Sequence, residues 1–395
     1  MRKKFFLTII GFFLLTIILG SDVKVSEERN KKEETYKNIE LFIDALNIVE
    51  KNYVKEVENK DLIYGALKGM LMSLDPYSAF LPPDLKKELQ IETEGQFEGV
   101  GMEITLKNGI ITVVSPIEDS PAWKAGVKPG DRIITIDGES TKGMTTLEAA
   151  KKLRGEKGTK VKISVMRENM PKLIDIEITR DIIKVKSVKT EDIGEMGYIR
   201  ITEFQERTSS DLKNALEEFN KKEKKGIILD LRNNPGGLLT SAVEVSELFL
   251  QKGKLIVYTQ GRNKEDKSIF RSKKVPIWEK PIVLLVNQGS ASASEIVFGA
   301  LKDNYEKISS VGEKTFGKGS VQNLIPLSDG SALKLTIAYY YTPSNVCIEG
   351  EGIPVDYEVK LPEDKEIIFA TDEDVQFQEA KRILKNMIYE KDEKE

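Results

Sequence analysis

Three serines at alternate positions, Ser290, Ser292 and Ser294, stand in the run NQGSASASEI. Before them, Pro281 to Val286 is an apolar run; after them, Ile296, Val297, Ala300 and Leu301 keep helical spacing. The pattern predicts a buried strand, a tight turn and a helix whose first turn carries the three serines. A serine at a helix N-terminus lies among unpaired backbone N–H groups at the positive end of the helix dipole, where a developing oxyanion is stabilised. Ser292 and Glu295 also fit a capping box, in which the serine satisfies an orphan N–H and the glutamate returns the bond. Residue spacing alone does not choose among the serines.

The chain contains no histidine. That excludes a Ser-His-Asp triad, a Cys-His dyad and any histidine-ligated zinc site. The single cysteine, Cys347, excludes an intrachain disulfide framework and cysteine-rich metal sites. If a serine is the nucleophile, lysine is the leading candidate for its base. Lys318 stands out, in the glycine-rich run from Gly312 to Gln322 that leads into a predicted strand. With a strand beginning near Lys318, alternation puts Lys318, Ser320 and Gln322 on one face, an amine beside an amide acceptor. A third segment, Asn233 to Gly237, ends a buried strand in a turn whose glycines leave N–H groups accessible. A plain surface lysine and a plain turn are the structural alternatives for the last two. Ser210 and Lys213 match the letters of a Ser-x-x-Lys site but lack its partner motifs, and Ser210 reads as a helix cap.

The elements that must position these residues fill most of a 395-residue chain, long enough for two or three domains. Sixty basic and 64 acidic residues are well mixed and give a net charge of −4, so no nucleic-acid footprint is visible. Arg2, Lys3 and Lys4 precede fifteen uncharged, mostly apolar residues, Phe5 to Leu19, the pattern of an export signal. A small-x-small cleavage site is poorly formed, and the expectation is an uncleaved membrane anchor with the body exported to the cell envelope. Residues 21–33 form a charged tether. Two amphipathic helices follow, one through Ile39, Phe42, Leu46, Val49 and Tyr53, and one from Asp61 to Leu74.

From Phe97 to Arg180 the texture changes to short strands and turns, with Thr145 and Glu148 as a capping box. The Gly99-Val100-Gly101-Met102 loop, the run SPAWKAGVKPGDRIITIDG and the run LRGEKGTKV together resemble a PDZ domain. The resemblance implies that a peptide adds as a strand at the sheet edge. Its carboxylate is then held by backbone N–H groups of the loop from Gly99 to Met102. Arg154, at the end of the groove helix, is either a solvated surface charge or a link to the next domain.

After Asp181, strands and helices alternate, as in a mixed sheet with ligand chemistry at strand-to-helix turns. A final amphipathic helix runs from Asp372 to Glu390. NQGSASASEI, VGEKTFGKGSVQ, LDLRNNPGG, DPYSAFL and the PDZ-like region together resemble the carboxyl-terminal processing peptidases, or tail-specific proteases, over about residues 35–360. That resemblance implies Ser292 as nucleophile, Lys318 as general base and Gln322 as the group that orients the lysine. It also implies an oxyanion hole from the N–H groups of Gly236 and Ala293. The segment KDNYEKISSVG is one residue longer than the family pattern, an insertion expected in the loop at 304–307.

The expected fold is therefore α+β and multidomain. An anchor occupies 1–20, a tether 21–33 and a helical region 34–95. A PDZ domain covers 96–180, a mixed α/β (crotonase-like) core 181–361 and a helical tail 362–395. The expected function is an exported serine endopeptidase that reads C-terminal tails and cleaves through an acyl-enzyme. It needs no metal or other cofactor. Expected partners are peptides with free apolar C-termini, the membrane through the N-terminal segment and a second copy of the chain, with no nucleic acid. The alternative is a non-catalytic PDZ adaptor of the envelope. A neutral Lys318 requires a pKa brought from ~10.4 to ~7–8, which burial supplies provided no acidic partner lies close.

Overall fold

A computed structural model of the chain describes residues 29–389 except 31, 169 and 362–367. The N-terminal segment expected to be an anchor, and most of the tether, lie outside these residues. Among the described residues no helix is long and apolar enough to cross a membrane. The chain divides into two units, Met1–Phe80 and Leu81–Glu395.

In the first unit, α1 (32–52) and α2 (Asn59–Met72) are helical. α1 begins earlier than its apolar spacing suggested, and α2 sits two residues upstream of expectation, because Asp61 lies inside the first turn rather than before it. Tyr36, Leu41, Ile48 and Val54 are all exposed. Asp75 closes the turn after α2 by accepting the N–H groups of Tyr77 and Ser78 and the Ser78 hydroxyl. A short strand, β1 (Ala79–Leu81), follows.

The second unit opens with α3 (Pro83–Glu94), an element the sequence reading did not include. Its signals are nonetheless local: proline in the first turn and Gly95 in the left-handed conformation at the C-cap, φ 66°. β2 (Gln96–Gly99) leads to β3 (Met102–Lys107), β4 (Ile110–Pro116), α4 (Pro121–Lys124), β5 (Arg132–Ile136) and β6 (Glu139–Ser140). Then come α5 (Thr146–Leu153), β7 (Lys160–Met166), β8 (Ile174–Thr179) and β9 (Asp181–Lys184). One sheet has the order β3-β4-β5-β7-β8 with β6 on β5, so β3 lies at its edge; β2 pairs with β9. Alternate residues such as Ile111, Ile133, Ile163 and Val165 fill the core beneath α5, where Ala149 and Leu153 are buried. The Thr145–Glu148 capping box forms with both reciprocal bonds.

The remaining elements build the larger layer. β10 (Val188–Ile193) and β11 (Met196–Ile201) precede α6 (Thr208–Lys221), β12 (Gly226–Asp230) and α7 (Leu239–Glu247). β13 (Leu255–Gly261) and β14 (Lys267–Arg271) precede β15 (Ile282–Val286), α8 (Ala293–Asn304) and β16 (Ile308–Gly312). The chain ends with β17 (Ser320–Pro326), β18 (Ala332–Tyr341), β19 (Tyr357–Glu358) and α9 (Val375–Tyr389). The main sheet runs β10-β11-β12-β15-β16-β19, parallel from β11 onward. Ile227, Leu229, Ile282 and Leu284 face α6, α7 and α8, while Ile228, Val283, Leu285 and Val311 face Phe377, Ile383 and Leu384 of α9. Both faces are covered, which is why GIILD and IVLLV are continuous apolar runs rather than alternating ones. β13, β14, β17 and β18 belong to a second, antiparallel sheet.

Candidate active site

The neighbouring parallel strands β12 and β15 release their chain ends side by side, at the edge where α/β sheets place ligand chemistry. Leaving β12, Arg232 is fully buried and held between Asp230 and Asp374, so the strand end is tied to the start of α9. Beyond it the turns after β12 and β15 lock together. Asn287 Oδ1 accepts the Asn233 N–H at 2.9 Å, and the Asn287 amide donates to Asn233 Oδ1 at 2.7 Å. Asn234 accepts through its carbonyl from the Ala291 N–H, at 3.0 Å, and donates its amide to the Ile201 carbonyl.

This web separates the three serines. Ser290 is fully buried and donates to the Leu231 carbonyl at 2.8 Å; Ser294, equally buried, donates to the Asn234 carbonyl at 3.0 Å. Both hydroxyls stitch one turn to the other. Ser292 alone is partly exposed, with φ 56° and ψ −114°, a conformation non-glycine residues rarely adopt. Such backbone persists only when its surroundings over-determine it. The helix begins at Ala293, so Ser292 is the N-cap and Ser290 precedes the helix; the first turn does not carry all three as the spacing suggested. Of the capping box, the returning half is clear: Glu295 Oε2 accepts the Ser292 N–H at 2.9 Å.

Gly236 packs directly on Ser292. A side chain there would place its Cβ 2.7 Å from Ser292 Cβ and 3.0 Å from the Ala293 nitrogen, and φ is 109°. Only glycine fits. Phe204 brackets the turn, donating its N–H to the Gly236 carbonyl and accepting from the Leu238 N–H, both at 2.8 Å. The Gly236 N–H itself is held by Asn234 Oδ1 at 2.9 Å.

Lys318 lies two residues before β17, because the strand begins at Ser320 rather than at the lysine. The loop is bound down instead by Glu295, which accepts the Lys318 N–H at 2.9 Å and the Gly317 N–H at 2.7 Å. Tyr340 donates its hydroxyl to the Lys318 carbonyl. Burial pushes the Lys318 ammonium below the ordinary lysine value, and repulsion from Lys334 adds to it. Glu349 and Glu295 oppose that shift, so the expectation of no acidic neighbour is corrected. Burial is the larger effect, and Glu349 also accepts the Gly319 N–H at 2.6 Å. Gln322 does meet Ser320: its amide nitrogen donates to the Ser320 hydroxyl at 2.9 Å and faces Thr336 Oγ1 at 3.4 Å. With the nitrogen end so engaged, Oε1 is the acceptor end of the amide.

In the PDZ-like layer, Gly101 has φ 75°, and a Cβ would meet Ser120 Cβ at 2.4 Å. The Val100 carbonyl accepts from the Ala122 N–H at 2.7 Å, and the Gly101 carbonyl from Ser120 Oγ at 2.8 Å and Ile117 at 3.0 Å. Both carbonyls point at the start of α4. Since C=O and N–H oppose each other across a planar trans peptide, the N–H groups of Gly101 and Met102 face the other way. Gly99 packs beside Arg154, whose guanidinium lies 5.1 Å from the Phe97 ring and pairs with Glu88 of α3. Lys151 pairs with Asp84 one turn earlier, at 2.6 Å. Arg154 therefore reaches α3, not the main layer; α3 in turn accepts the Glu206 N–H at its Thr93 carbonyl. Among the described residues no group of three or more His, Cys, Asp or Glu side chains is placed to hold a metal ion.

Residues 195–359 match peptidase family S41, residues 112–167 match a PDZ domain, and residues 11–84 match the activating protease CtpB N-terminal domain. A carboxy-terminal-processing protease of Bartonella bacilliformis is 44% identical over 369 residues, covering 92% of this chain and 84% of its own length. This chain belongs to peptidase family S41. The carboxy-terminal processing protease CtpA of Bacillus subtilis is 41% identical over 321 residues, covering 81% of this chain and 68% of the relative. The solved structure of a putative S41 protease from Bacteroides fragilis is similar in fold, with TM-score 0.51 and 18% identity over 85% of this chain and 92% of that one. The S41 chain is thus a serine protease with a PDZ domain on a mixed α/β fold. Glu295, Asn287, Asn233, Asn234 and Thr315 are site residues that the sequence reading did not assign. Asparagines flanking both glycine turns were the available signal.

Proposed function

We propose that this S41 protease is an exported endopeptidase that reads the C-terminal tails of protein substrates and cleaves them through a Ser292–Lys318 dyad. Ser292 attacks the scissile carbonyl as Lys318 takes its proton. The acyl-enzyme is then hydrolysed by water, activated by the same lysine. One observation carries the pairing. The backbone N–H groups of Ser292 and Lys318 share a single oxygen, Glu295 Oε2, each at 2.9 Å, so the two nitrogens are no further apart than twice that distance. Burial of the lysine supports the neutral amine the step requires. Gln322 orients Lys318 through its Oε1. The Ala293 and Gly236 N–H groups receive the oxyanion, which requires the Asn234 amide oxygen to share or release the Gly236 N–H.

Substrate tails with a free, apolar C-terminus join the exposed edge of β3, with the carboxylate on the N–H groups of the loop from Gly99 to Met102. Residues 1–20 anchor the protein to the membrane, and the apolar residues exposed on α1 and α2 support pairing of two copies. The test is a peptide with a free apolar C-terminus beside its amidated twin. Cleavage that Ser292→Ala abolishes, and that amidation weakens, is expected. Binding of the free tail without turnover by the unmodified protein would instead make it a PDZ adaptor.

A further inference from the structure

Assigning Ser292 and Lys318 leaves one fully buried ionisable group at the site without a task. Glu295 is fully buried, three residues into the turn that Ser292 caps. A glutamate that only closes a capping box needs one bond, to the N-cap N–H, and sits comfortably in water. This one has four donors. Oε2 takes the N–H groups of Ser292 and Lys318, both at 2.9 Å. Oε1 takes the Thr315 hydroxyl at 2.6 Å and the Gly317 N–H at 2.7 Å. Three of the four come from the loop that delivers Lys318, 20 to 23 residues away in sequence. Burying a carboxylate is costly unless its oxygens are satisfied, and here every donor belongs either to the nucleophile's turn or to the base's loop. Thr315 extends the brace, since its Oγ1 also accepts the Ile353 N–H at 2.7 Å.

Resting on the dyad reading above, we propose that Glu295 is a positioning residue of the peptidase reaction, a brace that holds the backbones of nucleophile and base in register. Its second effect follows from its charge. Glu295 and Glu349 favour the ammonium form of Lys318, against burial and against Lys334. Removing the Glu295 charge while keeping its shape therefore lowers the pH at which Lys318 becomes a base. Glu295→Gln does this, and its amide nitrogen must also face two donors that it cannot accept.

The experiment measures kcat and KM of the full-length protein across pH on a tail peptide, with circular dichroism as a folding check. Glu295→Gln should lose about 10²-fold in kcat, as a misplaced reacting group does, with KM little changed. The rising alkaline limb should move to lower pH. Thr315→Val, which removes one donor and leaves the charge, should lose several-fold in kcat with the limb in place. A folded Glu295→Gln enzyme with wild-type kcat, or one that loses kcat without moving its limb, overturns the proposal and leaves only a helix cap. Should Glu295→Gln fail to fold, wild-type kcat in Thr315→Val overturns it equally. Failure of the dyad itself looks different: Lys318→Ala would then retain both activity and its alkaline limb.

Discussion

The turn around Ser292 and the loop around Gly101 use the same device and finish it differently. In each, a glycine with positive φ presses against a serine at the start of a helix, and a side chain on that glycine would collide. At Gly101 the serine is itself the support: Ser120 caps α4 and donates to the loop carbonyl, and its hydroxyl is spent. At Gly236 the support has moved to the neighbours. Ser290, Ser294, Asn233, Asn234 and Asn287 carry the bonds between the two turns, and Ser292 is held by its backbone. On the proposed reading, a tail-binding loop needs only its N–H groups presented, whereas a nucleophile at Ser292 must be placed to a fraction of an ångström, and that placement takes a buried web.

The contrast can be broken at several points. Ser292→Ala should lower peptide cleavage by about 10³-fold or more while tail binding is kept; Ser290→Ala and Ser294→Ala, whose hydroxyls bond carbonyls of the other turn, should instead lower the melting temperature. Lys318→Arg should be inactive at every pH, because a guanidinium cannot serve as a neutral base. The wild-type rate should rise with pH, with a midpoint lower than that of an ordinary lysine, as burial dictates. Gly236→Ala and Gly101→Ala should separate the two regions: the first loses about 10²-fold in kcat with tail affinity retained, the second loses tail affinity with kcat on a short untailed substrate retained. Kinetics and fluorescence titration of both variants check this. Asn287→Ala strands the N–H groups of Asn233 and Gly289 and should cost about 1–3 kcal/mol in denaturant unfolding.

The smallest effect lies between the regions, where α3 meets the segment that brackets Gly236. Burial and the nearby Glu92 push the Glu203 carboxyl up to about 7. Folded protein therefore holds that proton through a window where unfolded chain has released it. Its contribution to stability is fully present below about 4.5 and is lost as pH rises through about 7. Glu203→Gln should raise the melting temperature slightly at pH 8 and leave it unchanged at pH 5, as calorimetry would show.

Much of the peptidase layer was legible because its causes are local. GIILD and IVLLV read as buried strands, ALKLTIAYYY matched β18 from end to end, and Thr145 and Glu148 announced their cap. α3 was missed because its ends are marked by one proline and one glycine while its interior, LKKELQIETE, has no buried residue to set a period. The strand expected at Lys318 starts later because Glu295 claims the loop's N–H groups before the sheet can.

By itself, then, the sequence determined the chemistry available: no histidine, one cysteine, three serines at a strand-to-helix turn and a lysine in a glycine loop. It could not rank the serines, since alternate spacing treats them alike. Only the tertiary structure decided that. It brings β12 and β15 together, so that carbonyls from one turn consume the hydroxyls of Ser290 and Ser294. It also buries Glu295 between segments distant in the chain, where one carboxylate accepts the N–H groups of both Ser292 and Lys318. Hydrogen bonds between remote turns leave no periodicity in a sequence, because what fixes them is the register of the strands that carry them.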